Sequence, residues 1–203
     1  MTAVQATRRD SPGQPATAGA TVWFTGLPSA GKSTIAHAVA ERLSADGHRV
    51  QVLDGDAVRP HLSADLGYSK EARDLNVARI GWVARLLASH GVLVLVPVIA
   101  PYADARDAVR EAHRADGVPF SEVYVSTSLA VSEGRDVKGL YARARRGEIN
   151  GMTGLDDPYQ PPARAELEID TERLDLDDAV QATLDHLTML LGGTPAEPER
   201  QAS

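Results

Sequence analysis

Eight residues near the start of the chain, Gly26, Leu27, Pro28, Ser29, Ala30, Gly31, Lys32 and Ser33, fit the pattern G-x-x-x-x-G-K-[ST]. The glycines let a backbone wrap closely round an anion, so that successive N–H groups point at phosphate oxygens. A helix opening just after them adds the positive end of its dipole. An ammonium at Lys32 reaches the β- and γ-phosphates of a nucleoside triphosphate, and the Ser33 hydroxyl is a ligand for Mg²⁺. The chemistry these residues suit is phosphoryl transfer.

Two carboxylates follow in Leu53-Asp54-Gly55-Asp56, with Arg59 three residues on. An acid beside a phosphate site can hold the magnesium shell or orient an attacking hydroxyl. It can equally cap the next helix, and both readings stay open for Asp54 and Asp56. Between Arg135 and Arg146 lie Arg135, Lys138, Arg143, Arg145 and Arg146 against one acid, Asp136. Bracketed by Gly139, Gly147, Gly151 and Gly154, this segment reads as a lid that closes over anions and excludes water, or as a solvated basic helix.

Other chemistries find no support. The guanine-reading patterns N-K-x-D and T-K-x-D are missing, and Asp136-Val137-Lys138-Gly139 matches D-x-x-G by letter only, since it follows a helical stretch. The six histidines show no paired metal spacing, and the chain has no cysteine for a thiolate site, a disulfide or a catalytic thiol.

The elements that must position these residues alternate. Strands are expected at 21–25, 50–53, 92–99, 122–125 and 166–169, where β-branched and apolar runs are bounded by turn signals. Helices are expected at 32–45, 71–89, 104–115 and 176–191. In the longest helix, Leu75, Ala78, Val83, Leu86 and Leu87 are assigned inward. Such alternation predicts a doubly wound, mostly parallel α/β sheet whose ligands bind beyond the carboxyl ends of the strands.

At 203 residues there is room for one domain with a sizeable core. Residues 1–20 and 192–203 lack periodicity and are expected to be a disordered arm and tail round a folded unit at 21–191. A net charge of −7 argues against general nucleic-acid binding. No apolar run is long enough for a membrane span, and Arg8-Arg9 has no apolar stretch behind it, so a cytoplasmic protein is expected.

Taken together, the stretches WFTGLPSAGKST, LDGDAVRPHLSADLGYS, RDLNVARIG, APYADARDAVR and RDVKGLYARARRGEINGMTGLDDPY resemble the adenylylsulfate kinase family, over roughly residues 20–190 in order. The resemblance implies a three-layer α/β/α P-loop kinase with a basic lid. It implies transfer of the γ-phosphoryl of ATP, with Mg²⁺, to the 3′-hydroxyl of adenosine 5′-phosphosulfate, giving 3′-phosphoadenosine 5′-phosphosulfate. Carried over by position, Gly26 to Ser33 and Thr34 hold ATP, Arg135 lies along its base, and Ser33 and Asp56 hold the metal. Lys32 and Asp56 are then catalytic. Arg59, Arg73 and Asn76 grip the phosphosulfate, Tyr68 lies against the substrate adenine, and Lys138 contacts anionic oxygens from the lid. Met152 stands where an aromatic is usual, Ala57 for a common Asn, Leu75 for a common Glu and Ala100 for a common Ser. The likeness further implies a homodimer, and leaves ATP sulfurylase open as a functional partner. Two alternatives remain at this point: a P-loop kinase for another small anionic hydroxyl compound, and a non-catalytic nucleotide-binding subunit, against which an intact Lys32, Ser33 and Asp56 speak.

Overall fold

The computed structural model describes residues 19–193. In chain order its elements are β1 (Ala20–Thr25), α1 (Lys32–Ala45), β2 (Val50–Val52), α2 (Gly55–Leu62), α3 (Lys70–Ala88) and β3 (Leu93–Pro97), followed by α4 (Ala103–Ala115), β4 (Phe120–Val125), α5 (Leu129–Arg135), α6 (Leu140–Arg145), β5 (Leu167–Ile169) and α7 (Leu176–Leu190). The strands form one sheet in the order β2-β3-β1-β4-β5, with every pairing parallel. β1 lies at the centre between β3 and β4, and the chain winds to one side through β2 and β3 and to the other through β4 and β5, which makes the crevice beyond its carboxyl end the switch point where such sheets bind ligands.

Alternation along the strands divides the apolar side chains between two layers. Val22 and Phe24 of β1 and Leu93 and Leu95 of β3 pack with Ile35, Val39 and Leu43 of α1 and Val180 and Leu187 of α7. Trp23, Val94 and Val96 face the other way, onto Val77, Ile80 and Ala84 of α3 and Val109 of α4. Central parallel strands covered on both faces need apolar residues at consecutive positions, and the five residues of β3 are all buried.

The structure differs from the sequence expectation in several places. Ala20 is fully buried and opens β1, paired with Leu93. Gly19 belongs to the fold as well, for a Cβ there would lie 2.0 Å from the Ala88 carbonyl oxygen. The expected arm is thus shorter by these two residues, and its remainder, like the tail from 194 on, lies outside the described residues. α2, α5 and α6 were not among the bounded helices expected, although α5 is the helical stretch before Asp136 and α6 answers to the basic helix that was the alternative to a lid. α2 holds both Gly55 and Pro60, poor helix formers that mask its two turns.

The buried face of α3 is also different. Val77, Ile80, Gly81, Ala84 and Ala88 face the core, and the half-buried Val83 and Leu87 pack against it as expected, whereas Leu75, Ala78 and Leu86 are exposed. Close packing explains the choice of small residues: a Cβ at Gly81 would come 2.6 Å from Val109 Cγ2 of α4. Leu75, Trp82 and Leu86 consequently form an outward stripe opposite the core.

Candidate active site

β1 delivers the chain into the loop 26–31 at the crevice. Gly26 has φ 148° and cannot carry a side chain, since a Cβ would lie 2.5 Å from the Val125 carbonyl oxygen of β4. Ser29 (φ 61°) and Gly31 (φ 108°) complete the left-handed geometry of the cradle, and Gly31 stands at the N-cap of α1. Strain at a non-glycine such as Ser29 persists only where the surroundings enforce it.

Lys32 is buried, with Nζ donating to the carbonyl oxygens of Gly26 at 2.9 Å and Leu27 at 2.7 Å. Burial pulls its pKa down to about 7, against the opposing pull of Asp54 and Asp56. The Ser33 hydroxyl donates to Asp54 Oδ2 at 2.5 Å. Asp54 Oδ1 meanwhile accepts from the Asp56 backbone N–H at 3.0 Å and caps α2. Asp54 therefore caps the helix, one of the readings its position allowed, and also fixes the serine of the phosphate loop.

Asp56 projects from the first turn of α2 and forms an ion pair with Lys138, both side chains more than half exposed. Lys138 enters from the turn between α5 and α6, which is shaped by Asp136. That residue has φ 23° and accepts from the N–H groups of Tyr141 at 3.0 Å and Ala142 at 2.9 Å. Of the five basic residues of this segment only Arg135 and Lys138 line the cavity. Arg145 is paired with Glu133, and Arg143 and Arg146 with Glu148, acids just outside the stretch that sequence inspection had weighed. Arg135 lies at the loop, with Nη1 donating to Thr171 Oγ1 at 2.8 Å and to the Ala30 carbonyl at 3.3 Å.

A cavity of about 620 Å³ joins these groups to a second cluster, a size suited to nucleotides. Pro28, Ser29, Gly31, Lys32, Ser33 and Thr34 line one end, and Arg59, Tyr68, Arg73, Asn76 and the loop residues Ile99, Ala100 and Pro101 line the other. Arg59 donates to Gly67 O at 2.5 Å and lies over the Tyr68 ring at 4.3 Å. Arg73 reaches Gly151 O at 2.5 Å and Thr153 Oγ1 at 3.2 Å. Asn76 Oδ1 is buried without a hydrogen-bond partner among the described residues, so an acceptor is available at that end of the cavity.

The remaining expected site residues sit elsewhere. Gly26, Leu27 and Ala30 are behind the loop and not on the cavity wall; the first two serve through their carbonyls. Met152 is buried beneath the turn 151–157, with its N–H on Asp156 at 2.6 Å, and does not line the cavity. Conversely, Thr171, Leu174 and Leu176 line it and were not singled out. They follow β5, and the rule that ligands gather beyond strand carboxyl ends would have found them.

Comparison with known proteins bears on this arrangement. A sequence model of the family described as adenylylsulphate kinase matches residues 18–170. The chain is 49% identical over 177 residues to an adenylyl-sulfate kinase of Picosynechococcus sp., covering 87% of this chain and 98% of that protein. It is 52% identical over 162 residues to a probable adenylyl-sulfate kinase of Synechocystis sp., covering 80% and 89%. Among solved structures, it is similar to the Mycobacterium tuberculosis APS kinase CysC in complex with AMPPNP and APS. The TM-score is 0.81 at 47% identity, over 83% of this chain and 97% of that one.

Proposed function

The chain belongs to the adenylylsulphate kinase family, and from that premise we propose how its cavity divides the transfer of a γ-phosphoryl from ATP to the 3′-hydroxyl of adenosine 5′-phosphosulfate. One observation carries the reading: Lys32, Ser33, Asp54 and Asp56 meet Arg59, Arg73 and Asn76 in a single cavity. The phosphate loop and Lys32 take the triphosphate, with Thr34 beside them and Arg135 with Thr171 toward the base. The acceptor lies at the other end, its phosphosulfate against the planar donor forks of Arg59 and Arg73, its adenine against Tyr68.

Asp56 accepts the hydrogen bond of the attacking 3′-hydroxyl in this scheme, and Lys138 exchanges Asp56 for a phosphate oxygen as the lid closes. With donor and acceptor held in line, most of the catalysis is positioning and charge stabilisation. Mg²⁺ takes hard oxygen donors, commonly one or two carboxylates with water and substrate phosphates, and Ser33 Oγ, Asp54 and Asp56 fit that demand. When bound there, the ion supplies charge neutralisation between the β- and γ-phosphates. Met152, off the wall, acts by supporting the turn that Arg73 holds.

Homodimer formation, action in the cytoplasm and supply of the acceptor by a sulfurylase are part of the same proposal. The outward stripe of Leu75, Trp82 and Leu86 supports the first, because an apolar helix face of this kind gains by being covered. Among the described residues no helix is long and apolar enough to cross a membrane.

The test is kcat/KM for adenosine 5′-phosphosulfate and for AMP in a coupled assay. A preference for the phosphosulfate of ten- to several-hundred-fold is expected, since a buried cationic donor left without its sulfate partner costs upward of about 1–3 kcal/mol. Preference for AMP or for an unrelated acceptor would overturn the proposal.

A further inference from the structure

We infer that Arg106 is a positioning residue for the acceptor, acting through the carbonyl of Ala100 and the segment that ends at Gln160; the inference rests on the reading of the acceptor end just given. Arg106 sits on α4, 2% exposed, outside the cavity. Its Nε donates to Glu122 Oε1 of β4 at 2.6 Å, a pair buried on both sides. Burying such a pair carries a desolvation cost that mutual attraction often only offsets, so stability alone is a weak reason for it. The rest of the guanidinium shows a second use: Nη1 donates to Ala100 O at 2.7 Å and Nη2 to Gln160 O at 2.7 Å.

These two carbonyls belong to the two segments that shape the acceptor end. Ala100 is on the cavity wall and has φ 44°, a left-handed conformation that an alanine keeps only when held. Gln160 closes the segment that begins with Gly151 and Thr153, the partners of the Arg73 fork. Further bonds fasten the same two segments together. Gln160 N donates to Pro101 O at 2.8 Å, Ala103 N to Gln160 Oε1 at 2.8 Å, and the Tyr102 hydroxyl to Asp157 Oδ1 at 2.8 Å. Arg106 touches the loop after β3, the end of the 151–160 segment and the sheet at once, and the Thr25 hydroxyl of β1 makes a smaller tie of the same kind, to Ile99 O at 2.6 Å and the Tyr159 hydroxyl at 3.0 Å. A planar fork with fixed angles between its donors makes that three-way tie; a lysine in its place keeps the charge on Glu122 and loses the geometry.

Among the described residues Arg106 makes no hydrogen bond to the phosphate loop 26–33, only to Glu122, Ala100 and Gln160, which is what makes the inference testable. Arg106→Lys should raise KM for adenosine 5′-phosphosulfate about tenfold, in keeping with the cost of small misplacements in an oriented site, while KM for ATP stays within twofold. Glu122→Gln, which removes the charge of the buried pair and leaves the acceptor-end tie, should lower the melting temperature and leave both KM values within twofold. Should Arg106→Lys fail to fold, Gln160→Ala at an exposed residue decides instead, with a rise of about threefold in acceptor KM expected from the loss of its bond to Ala103. An unmoved acceptor KM, or equal rises for ATP and acceptor, overturns the inference. If wild type prefers another acceptor, the functional reading falls, and the same KM comparison with the preferred compound still decides the role of Arg106.

Discussion

At the proposed triphosphate end of the cavity the wall is the loop and first turn at Pro28, Ser29 and Gly31 to Thr34, its backbone set by positive φ at Gly26, Ser29 and Gly31 and backed by one buried lysine. At the proposed acceptor end the wall includes the tips of Arg59, Arg73 and Lys138, long side chains from α2, α3 and the turn before α6, which hold neighbouring segments through Gly67, Gly151 and Asp56. The first end is shaped before a ligand arrives. The second is a set of contacts between protein segments that, on the proposed function, must partly be exchanged for contacts to substrate. A cradle of backbone discriminates little among triphosphates, whereas exchangeable forks set which acceptor is taken.

Substitutions can separate the two ends. Lys32→Ala should have the largest effect, a loss of about two decades or more in turnover, by analogy with removing one preorganised charge stabiliser. The fold should survive, because the loop's left-handed backbone geometry remains when the Lys32 bonds to Gly26 and Leu27 carbonyls are lost. Near-wild-type turnover in the folded variant would remove the basis for treating the loop as the triphosphate site.

Arg73→Ala should come next. It deletes one fork and frees Gly151 and Thr153, so kcat/KM for the phosphosulfate should fall by tens-fold and the gap to AMP should narrow, in line with a lost charged hydrogen bond of about 1.5–3 kcal/mol. An unchanged ratio between the two acceptors would place their discrimination elsewhere.

A pH series tests the triphosphate end alone. Because the folded-state pKa of Lys32 is depressed to about 7, its ammonium is lost as pH rises through that value. Triphosphate charge favours the protonated form, so binding takes up a proton on the alkaline side. ATP affinity should fall above about pH 7, by at most tenfold per pH unit, and titration calorimetry in buffers of different ionisation enthalpy should report the uptake. A flat profile from about pH 7 to 9 would contradict the assignment.

Tyr68→Ala should be the mildest change. The ring is 66% exposed and lies beneath Arg59 and Arg73. Its loss should weaken the phosphosulfate and AMP about equally, by a few-fold, as befits an aromatic contact of about 0.5–1.5 kcal/mol. A selective loss of the phosphosulfate would mean that the ring works by steering the arginines.

The contrast between the ends also explains what could be read in advance. The phosphate loop was visible because backbone geometry demands particular residues at particular spacings, and the strand and helix on either side of it had unmistakable periods. The acceptor end was visible only through resemblance to a family, since Arg59, Arg73 and Asn76 have no local pattern of their own. Arg106 and Glu122 were invisible for a related reason: a buried ion pair between α4 and β4 leaves no mark on either segment read alone. On α3, Leu75 and Leu86 were expected inward and lie outward, because contact with α4 is so close at Gly81 and Val109 that small residues share the core face. The surplus of positive charge in the lid was overstated for want of looking one turn beyond it, to Glu133 and Glu148.

The two tryptophans of the chain fall on opposite sides of the solvent boundary. Trp23 is fully buried in β1, three residues before the phosphate loop, with the Phe120 ring 6.3 Å away, whereas Trp82 is 58% exposed on the outward face of α3. The protein therefore carries two intrinsic fluorophores of different colour: a blue-shifted indole beneath the catalytic loop, shielded from iodide, and a red-shifted, quenchable one on the surface. Emission lost to quencher reports whether the α3 face is covered, and the residual blue band reports whether the sheet under the active site is intact.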